Sequence, residues 1–488
     1  MFNRLKRYTG SYKLNDPIFM IGMFAIAVLF SFILTQVKLQ FALVLMLLPL
    51  VLVYLNRLFT HPRLGLITII ILAWLAVGIT RYITGIPFGL TIDFFLVLTL
   101  VAVFFRTFYD GIDTKAFNND IVILLTLWFL YAAAEILNPE ALSKTAWFYA
   151  MRGVALYSML TVPLVFLLFR KVKHLNLFLY MWGVISILGS LKGMQQVYLG
   201  LDYAEQRWLD QVGYITHVLF GELRVFSFYT DAGQFGAAQG AAGIVGLLVA
   251  LNSKKPVDII FFLIMGITGI WGMMISGTRG AIIVPLIGAL LYLIHRKNLR
   301  VIMLGLVLIA GIYVFFKYTY IGSGISQIRR MRTAFFPADD ASLQVRLDNR
   351  RVLQVYLSSR PFGGGIGSAG NWGQRFSPNG FLANVATDSW YVQIWAEMGI
   401  IGLTFHLFIL AFILTKSSYL IMFRVKDPEL RGKLSALACA YAGVLGASYG
   451  NGVLGQIPTG ILTYISWGFL FMAPMLDREV RGITDSAN

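Results

Sequence analysis

The sequence predicts an all-α, polytopic integral membrane protein with about fourteen transmembrane helices and one long external loop. Of its 488 residues, 58% are hydrophobic and only 13% are charged, whereas a soluble domain carries about 25% charged residues. Apolar runs recur along the chain, and basic residues concentrate in alternate connecting segments. Because too few polar residues remain to cover a soluble protein of this size, the lipid bilayer must solvate most of the chain.

The positions of the helices follow from the apolar runs. A helix needs about twenty mostly apolar residues to cross a bilayer. In chain order, the predicted spans are Pro17–Thr35, Gln40–Leu55, Leu64–Thr84, Phe88–Phe105, Asp120–Leu137, Gly153–Phe169, Leu175–Leu199, Ala232–Leu251, Val257–Ile275, Gly280–Ile294, Val301–Phe316, Trp390–Thr415, Leu434–Tyr449 and Ile457–Met475.

The distribution of lysine and arginine predicts the orientation, because short loops that stay in the cytoplasm retain positive charge. With the N-terminus inside, most basic residues fall in cytoplasmic segments, and both termini are cytoplasmic. Residues 1–316 then hold spans one to eleven, residues 317–389 form a partly helical periplasmic loop, and residues 390–488 hold the last three spans and a short tail. The short external loops hold Lys38, Arg81, Lys144, Arg152 and Arg279.

Composition also excludes several classes of site. A formal net charge of +17 would suggest nucleic-acid binding in a soluble protein, but the cytoplasmic loops account for most of it, so no nucleic-acid partner is predicted. The single cysteine, Cys439, allows neither a disulfide within the chain nor a zinc site of the cysteine type. No histidine has metal-ligand spacing. The sequence therefore predicts no metal and no cofactor.

Arginines outside the membrane are the first candidate binding residues. The external loop carries eight arginines against four aspartates, and no lysine after Lys317. Arginine favours bidentate contacts with phosphate or carboxylate. A solvated loop that touches lipid headgroups is the alternative, and an arginine at the membrane edge can also cap a helix. The candidate ligands for an anionic substrate are Arg224, Arg279, Arg346, Arg350 and Arg351.

Three carboxylates and a glycine complete the candidate site. Asp388 and Glu397 lie at the external end of the same predicted helix, but nine residues of separation put them on roughly opposite faces. Asp231 precedes another helix, where an N-cap is as good an explanation as catalysis. Asp388 could equally be an N-cap. Gly365 lies in a run of glycines whose backbone could approach a phosphate or a sugar.

Inside the apolar runs, Asp93, Glu135 and Lys192 are ionisable. Such residues are candidates for function in a membrane, although a structural ion pair explains them equally well.

At these residues the sequence resembles the O-antigen ligase and polymerase family of bacterial envelope glycan assembly. The resemblance covers Arg224 to Leu410. It depends on the Ser-Gly-Thr-Arg-Gly-Ala turn (Ser276–Ala281), the long loop before a late helix, the Pro-Phe-Gly-Gly-Gly-Ile-Gly block (Pro361–Gly367) and the Glu-Met-Gly-Ile-Ile-Gly run (Glu397–Gly402). Ligases of the family typically carry a His-Asn pair before that helix, where this chain has Thr387-Asp388-Ser389.

The resemblance implies a metal-independent membrane glycosyltransferase. It would polymerise or ligate glycan repeat units linked to polyprenyl pyrophosphate, on the outer face of the bacterial inner membrane. The implied partners are that lipid-linked glycan, the bilayer, and a chain-length regulator or another envelope-assembly protein. The alternative is a lipid-linked oligosaccharide flippase, which should show two similar halves; the sequence has none.

Overall fold

The computed structural model describes residues 39–83, 88–110, 117–219, 221–333, 335–336 and 341–483, together with residues 20–22, 24 and 28. The predicted span Pro17–Thr35 lies almost entirely outside this set. The chain divides into two compact units, residues 1–64 and residues 65–488. The first unit contributes helix α1, Leu39–Thr60, which contains Pro49.

Helices make up most of the second unit. Its first half begins with α2 Arg63–Ile79, although the first two residues of that helix precede the division between the units. The helices that follow are α3 Gly89–Asp110, α4 Asp120–Ala134, α5 Lys144–Met151, α6 Tyr157–Leu168, α7 Val172–Tyr198, α8 Tyr203–Trp208 and α9 Tyr214–His217. A π-helical turn, Arg152–Leu156, joins α5 to α6. Two short antiparallel strands follow, β1 Val218–Leu219 and β2 Glu222–Leu223.

The second half contains α10 Ala232–Asn252, α11 Pro256–Ile275, α12 Ile283–Arg296, α13 Leu299–Tyr318, α14 Ser326–Thr333, α15 Ala341–Leu357, α16 Gly370–Phe376, α17 Trp390–Phe423, α18 Pro428–Ala447, α19 Thr459–Phe471 and α20 Ala473–Val480. A 3-10 turn, Arg279–Ile282, precedes α12.

The protein is an all-α polytopic membrane protein. Within the described ranges, nine helices are long and apolar enough to cross a membrane, or ten if the bent pair α19 and α20 is one span. The predicted number of fourteen is not confirmed. In the described parts of α1 and α2, the apolar stretches are shorter than a span, and α18 begins with Glu429, Arg431 and Lys433, which lower its hydropathy.

One predicted boundary is wrong. The sequence indicated an external loop up to Arg152, but the structure has a continuous span from Lys144 to Leu168. Arg152 is buried within it and forms an ion pair with Asp93. Asp93 is therefore a partner in a structural ion pair, which was one of the two roles considered for it from the sequence. Lys192 likewise pairs with Asp202 and Glu205, at 3.1 Å from each.

Helix α10 is the centre of the bundle, and most of its residues are buried. It packs closely on α11 because glycines face each other. A Cβ on Gly246 would lie 2.5 Å from the backbone nitrogen of Gly266, and a Cβ on Gly269 would lie 2.6 Å from that of Gly243. Small residues allow helices to approach in this way inside a membrane. The N-terminus of α10 is thereby fixed, and the candidate site is built around it.

Candidate anion-binding site at the start of helix α10

Arg224 follows strand β2 and is held by two neighbouring segments. Its Nη2 donates to the Thr278 hydroxyl at 3.2 Å, and its Nη1 donates to the Thr216 carbonyl at 3.3 Å. The same Thr278 hydroxyl donates to the Ala232 carbonyl at 2.9 Å. The guanidinium of Arg224 therefore lies between the start of α10 and the turn that carries Arg279.

Further arginines gather around Arg224. Burial lowers the pKa of Arg224; the Asp231 carboxylate raises it, and the positive charges of Arg330, Arg279 and Arg346 lower it again. The guanidiniums of Arg330, Arg279 and Arg346 thus lie within electrostatic range of Arg224, although they come from separate segments. A surface with one sign of charge attracts ligands of the opposite sign. The predicted residues Arg224, Arg279 and Arg346 are brought together.

Asp231 is the N-cap of α10. Its Oδ1 accepts the backbone amide of Gln234 at 2.9 Å. Asn451 donates to the same carboxylate at 3.3 Å, and Gln456 donates to it at 3.2 Å. Asp231 therefore has the N-cap role that the sequence offered as an alternative to catalysis. Three donors already engage this carboxylate, and it is less available to a substrate than an exposed carboxylate.

Asp388 is half exposed and lies beside Arg346. The Arg346 Nε is 3.4 Å from the Asp388 Oδ2. The N-cap of α17 is Ser389 rather than Asp388, and its side chain makes no capping hydrogen bond. Instead, the Ser389 hydroxyl donates to the Ser448 carbonyl at 3.3 Å. The N-cap role suggested for Asp388 is therefore not found, and Arg346 connects this carboxylate with the arginines around Arg224.

The two other loop arginines have different surroundings. Arg350 donates to the Tyr449 hydroxyl at 2.6 Å, and its guanidinium lies 4.5 Å from that ring's centre. Arg351 pairs with Asp348 on the same helix at 3.1 Å, and both side chains are exposed. Arg350 therefore lies one turn of α15 beyond Arg346, whereas Arg351 projects into solvent.

Glu397 and Gly365 belong to the packing beneath the loop. Glu397 is fully buried, and its Oε1 accepts the Ala369 amide at 3.2 Å. The Gly365 amide donates to the Glu397 carbonyl at 2.8 Å, and a Cβ on Gly365 would lie 2.5 Å from that of Ala141. The glycine run thus supports close backbone packing. Glu397 lies buried within α17, whereas Asp388 precedes the Ser389 cap and is half exposed.

Arg81 was not among the site residues predicted from the sequence, yet it positions one segment of the site. Its guanidinium donates to the carbonyls of Ser227 and Tyr229. It also stacks between the rings of Trp208 and Phe226, at 4.6 and 4.3 Å from their centres. Arg81 therefore fixes the segment between Arg224 and α10. No local sequence signal indicates this role, because the partners are more than a hundred residues away.

In the part of the chain that the structure describes, no group of three histidine, cysteine, aspartate or glutamate residues is placed to hold a metal ion. The chemistry that the described arginines and Asp388 can provide is the binding of an anion by guanidiniums, next to an accessible carboxylate.

The comparison with known protein families agrees with the family resemblance indicated by the sequence motifs. Residues 260–407 match the family model described as O-antigen ligase. This range includes most of α11, the turn with Arg279, helices α12 to α16 and the first half of α17. No curated protein matches the chain. Residues 260–407 are therefore an O-antigen ligase domain within a multi-pass membrane protein.

Proposed function

We propose that this protein transfers a glycan from a polyprenyl pyrophosphate carrier to an acceptor hydroxyl, and so polymerises or ligates envelope glycans. The observation that carries the proposal is the cluster of Arg224, Arg279, Arg330 and Arg346 beside α10, in a chain with an O-antigen ligase domain. Guanidiniums bind phosphoryl oxygens through paired hydrogen bonds. The substrate class is a lipid-linked glycan, and the reaction uses no nucleotide.

The reaction exchanges one bond for another. The acceptor oxygen forms a bond to the anomeric carbon, the bond from that carbon to the diphosphate oxygen breaks, and the electron pair stays with the departing lipid diphosphate. Negative charge on the diphosphate increases as the bond breaks. Arginines fixed before the reaction, such as Arg224 held by Thr278 and Thr216, stabilise that charge more in the transition state than in the ground state.

The acceptor's proton requires a base, and we assign this role to Asp388. Of the three candidate carboxylates, Glu397 is fully buried and Asp231 is engaged as a cap. Asp388 is 49% exposed and lies at the edge of the cluster through its contact with Arg346. A general base must reach the hydroxyl that it deprotonates, and only the exposed carboxylate leaves space for an acceptor.

The proposal includes the topology predicted from the sequence. Fourteen spans with cytoplasmic termini would put residues 317–389 on the outer face, where the lipid-linked glycan is used. Cysteines introduced at Ser342 and Ser253 test this arrangement, because the native Cys439 is buried. In intact cells an impermeant thiol reagent should label Ser342→Cys and not Ser253→Cys. The opposite pattern would overturn the topology.

The activity is tested with the purified protein in liposomes that contain a lipid-linked repeat unit. Longer lipid-linked glycans are expected if the protein is a polymerase. Transfer to a separately added glycolipid acceptor is expected if it is a ligase. Neither product should form with Arg279→Gln. Movement of intact donor across the membrane, without cleavage of its sugar–phosphate bond, would contradict the proposal and favour a flippase.

A further inference from the structure

Helix α14 brings Arg330 to the turn that carries Arg279. A Cβ on Gly277 would lie 2.9 Å from the Arg330 Nη1, so the guanidinium lies directly over the turn. Gly277 also has a φ of +60°, which L-residues with side chains rarely adopt. This glycine therefore permits both the bend of the turn and the close approach of Arg330.

Arg332 and Arg329 fix the orientation of α14. Arg332 is buried, and it donates to the Ser323 hydroxyl at 3.1 Å and to the Ile321 carbonyl at 3.0 Å. Arg329 approaches Glu222 of strand β2 to 3.8 Å. Three arginines within four residues thus have three different surroundings, and Arg330 is the one directed at the turn.

The side chains around Arg224 and the Arg279 turn are mainly positively charged. Two carboxylates have arginine partners, since Glu222 faces Arg329 and Asp388 faces Arg346. Among the described residues, Arg224 has Asp231 as a neighbouring carboxylate and the guanidiniums of Arg279, Arg330 and Arg346 as neighbouring cations. A diphosphate joined to a lipid and a sugar carries one negative charge on each phosphoryl group, and guanidiniums bind such groups through charged hydrogen bonds.

We infer that Arg330 is a third diphosphate-binding residue, which acts with Arg224 and Arg279 on the two phosphoryl groups of the carrier. The inference rests on the proposed function, and it assigns to the external loop a direct contact with the ligand. Burial lowers the pKa of Arg330, and Glu222 opposes that effect; the guanidinium still remains charged at neutral pH. A lipid monophosphate offers one phosphoryl group and should depend less on Arg330.

The alternative is that Arg330 only stabilises the turn. The two possibilities differ in their effect on ligand binding by folded protein. The probes are farnesyl diphosphate and farnesyl monophosphate, titrated into full-length protein in detergent, with binding followed by intrinsic tryptophan fluorescence. The variants are Arg330→Gln and Arg330→Lys. Arg375→Gln is the matched control, because Arg375 is an exposed arginine in the same loop.

We expect Arg330→Gln to weaken farnesyl diphosphate binding about ten-fold or more, with a smaller effect on the monophosphate, since charged hydrogen bonds are lost. Arg330→Lys should fall between wild type and Arg330→Gln, because it keeps the charge but not the fork. Arg375→Gln should bind as wild type does. Equal affinities for wild type and both folded Arg330 variants would overturn the inference, as would an equal loss for both probes.

Thermal unfolding is measured on every variant to separate misfolding from lost binding. If Arg330→Gln does not fold, the test of the inference rests on Arg330→Lys alone. Wild-type affinity of Arg330→Lys for farnesyl diphosphate would contradict a bidentate contact. The experiment also separates this inference from the proposed function. Diphosphate binding that depends on Arg330, in a protein that transfers no glycan, would retain the site and refute the transfer reaction.

Discussion

Replacing Asp388 with asparagine separates a chemical role of this carboxylate from a structural one. Its one described ion pair is with Arg346 at 3.4 Å, and the two side chains are 49% and 35% exposed. An exposed pair of this kind contributes about 0–1 kcal/mol. Asp388 does not cap α17, so asparagine should cost little in stability.

The chemical role predicts a much larger effect. A positioned general base contributes about 100- to 10,000-fold to a rate, whereas 1 kcal/mol changes an equilibrium about five-fold. Asparagine has nearly the same shape as aspartate but does not accept a proton near neutral pH. We therefore expect Asp388→Asn to fold normally and to lose at least about 100-fold in glycan transfer.

The assay measures the initial rate of transfer from a lipid-linked repeat unit in liposomes, with gel filtration in detergent as the check on folding. Asp348→Asn is the matched control, because Asp348 belongs to the same loop and also forms an exposed ion pair, with Arg351 at 3.1 Å. If Asp388→Asn retains more than about one fifth of the wild-type rate, Asp388 is not the base, and Asp231 becomes the next candidate.

Two further predictions concern stability. Gly399 has φ +64° inside α17, and a Cβ there would lie 2.0 Å from the Pro361 carbonyl oxygen. Gly399→Ala should therefore reduce the free energy of unfolding by at least about 2 kcal/mol and lower the melting temperature. Gly311→Ala is the control and should not lower it, because a Cβ on Gly311 meets open space. Burial lowers the pKa of His217 below 6.5, so its contribution to stability is complete above pH 6.5 and declines as pH falls. Between pH 7 and 5, the protection factors of amides around His217, which compare each exchange rate with the intrinsic rate at the same pH, should fall in wild type and fall less in His217→Phe; an equal fall would refute this.

Several features of the site could be predicted from local sequence. The cap at Asp231 follows from a short acidic side chain before an apolar helix. The separation of Asp388 from Glu397 was argued from the helical period, but only Glu397 belongs to α17, and Asp388 precedes the Ser389 cap. Both arguments use neighbouring residues only, and the backbone geometry that they depend on is nearly the same in every helix.

Other features depended on segments that are far apart in the chain. The break at Gly399 exists because the Pro361 carbonyl occupies the space where a side chain would lie, and the apolar run around Gly399 gives no sign of it. The burial of Arg152 depends on Asp93, which lies in another helix. Gly365 was predicted to approach a ligand; in the structure its close neighbour is Ala141, and a role in binding stays a prediction.

The sequence by itself determined that a bilayer surrounds this protein, since its 13% charged residues could not cover a soluble surface. It also identified Arg224 and Arg279 as candidate ligands. Only the tertiary structure showed that Arg330 lies beside the turn that carries Arg279 and that Arg351 pairs with Asp348 at an exposed position. Hydropathy and helical period are local properties, which a sequence displays directly. The meeting of guanidiniums from distant segments depends on how α10, α11 and α14 pack, and that packing is the joint result of many contacts between residues far apart in the chain.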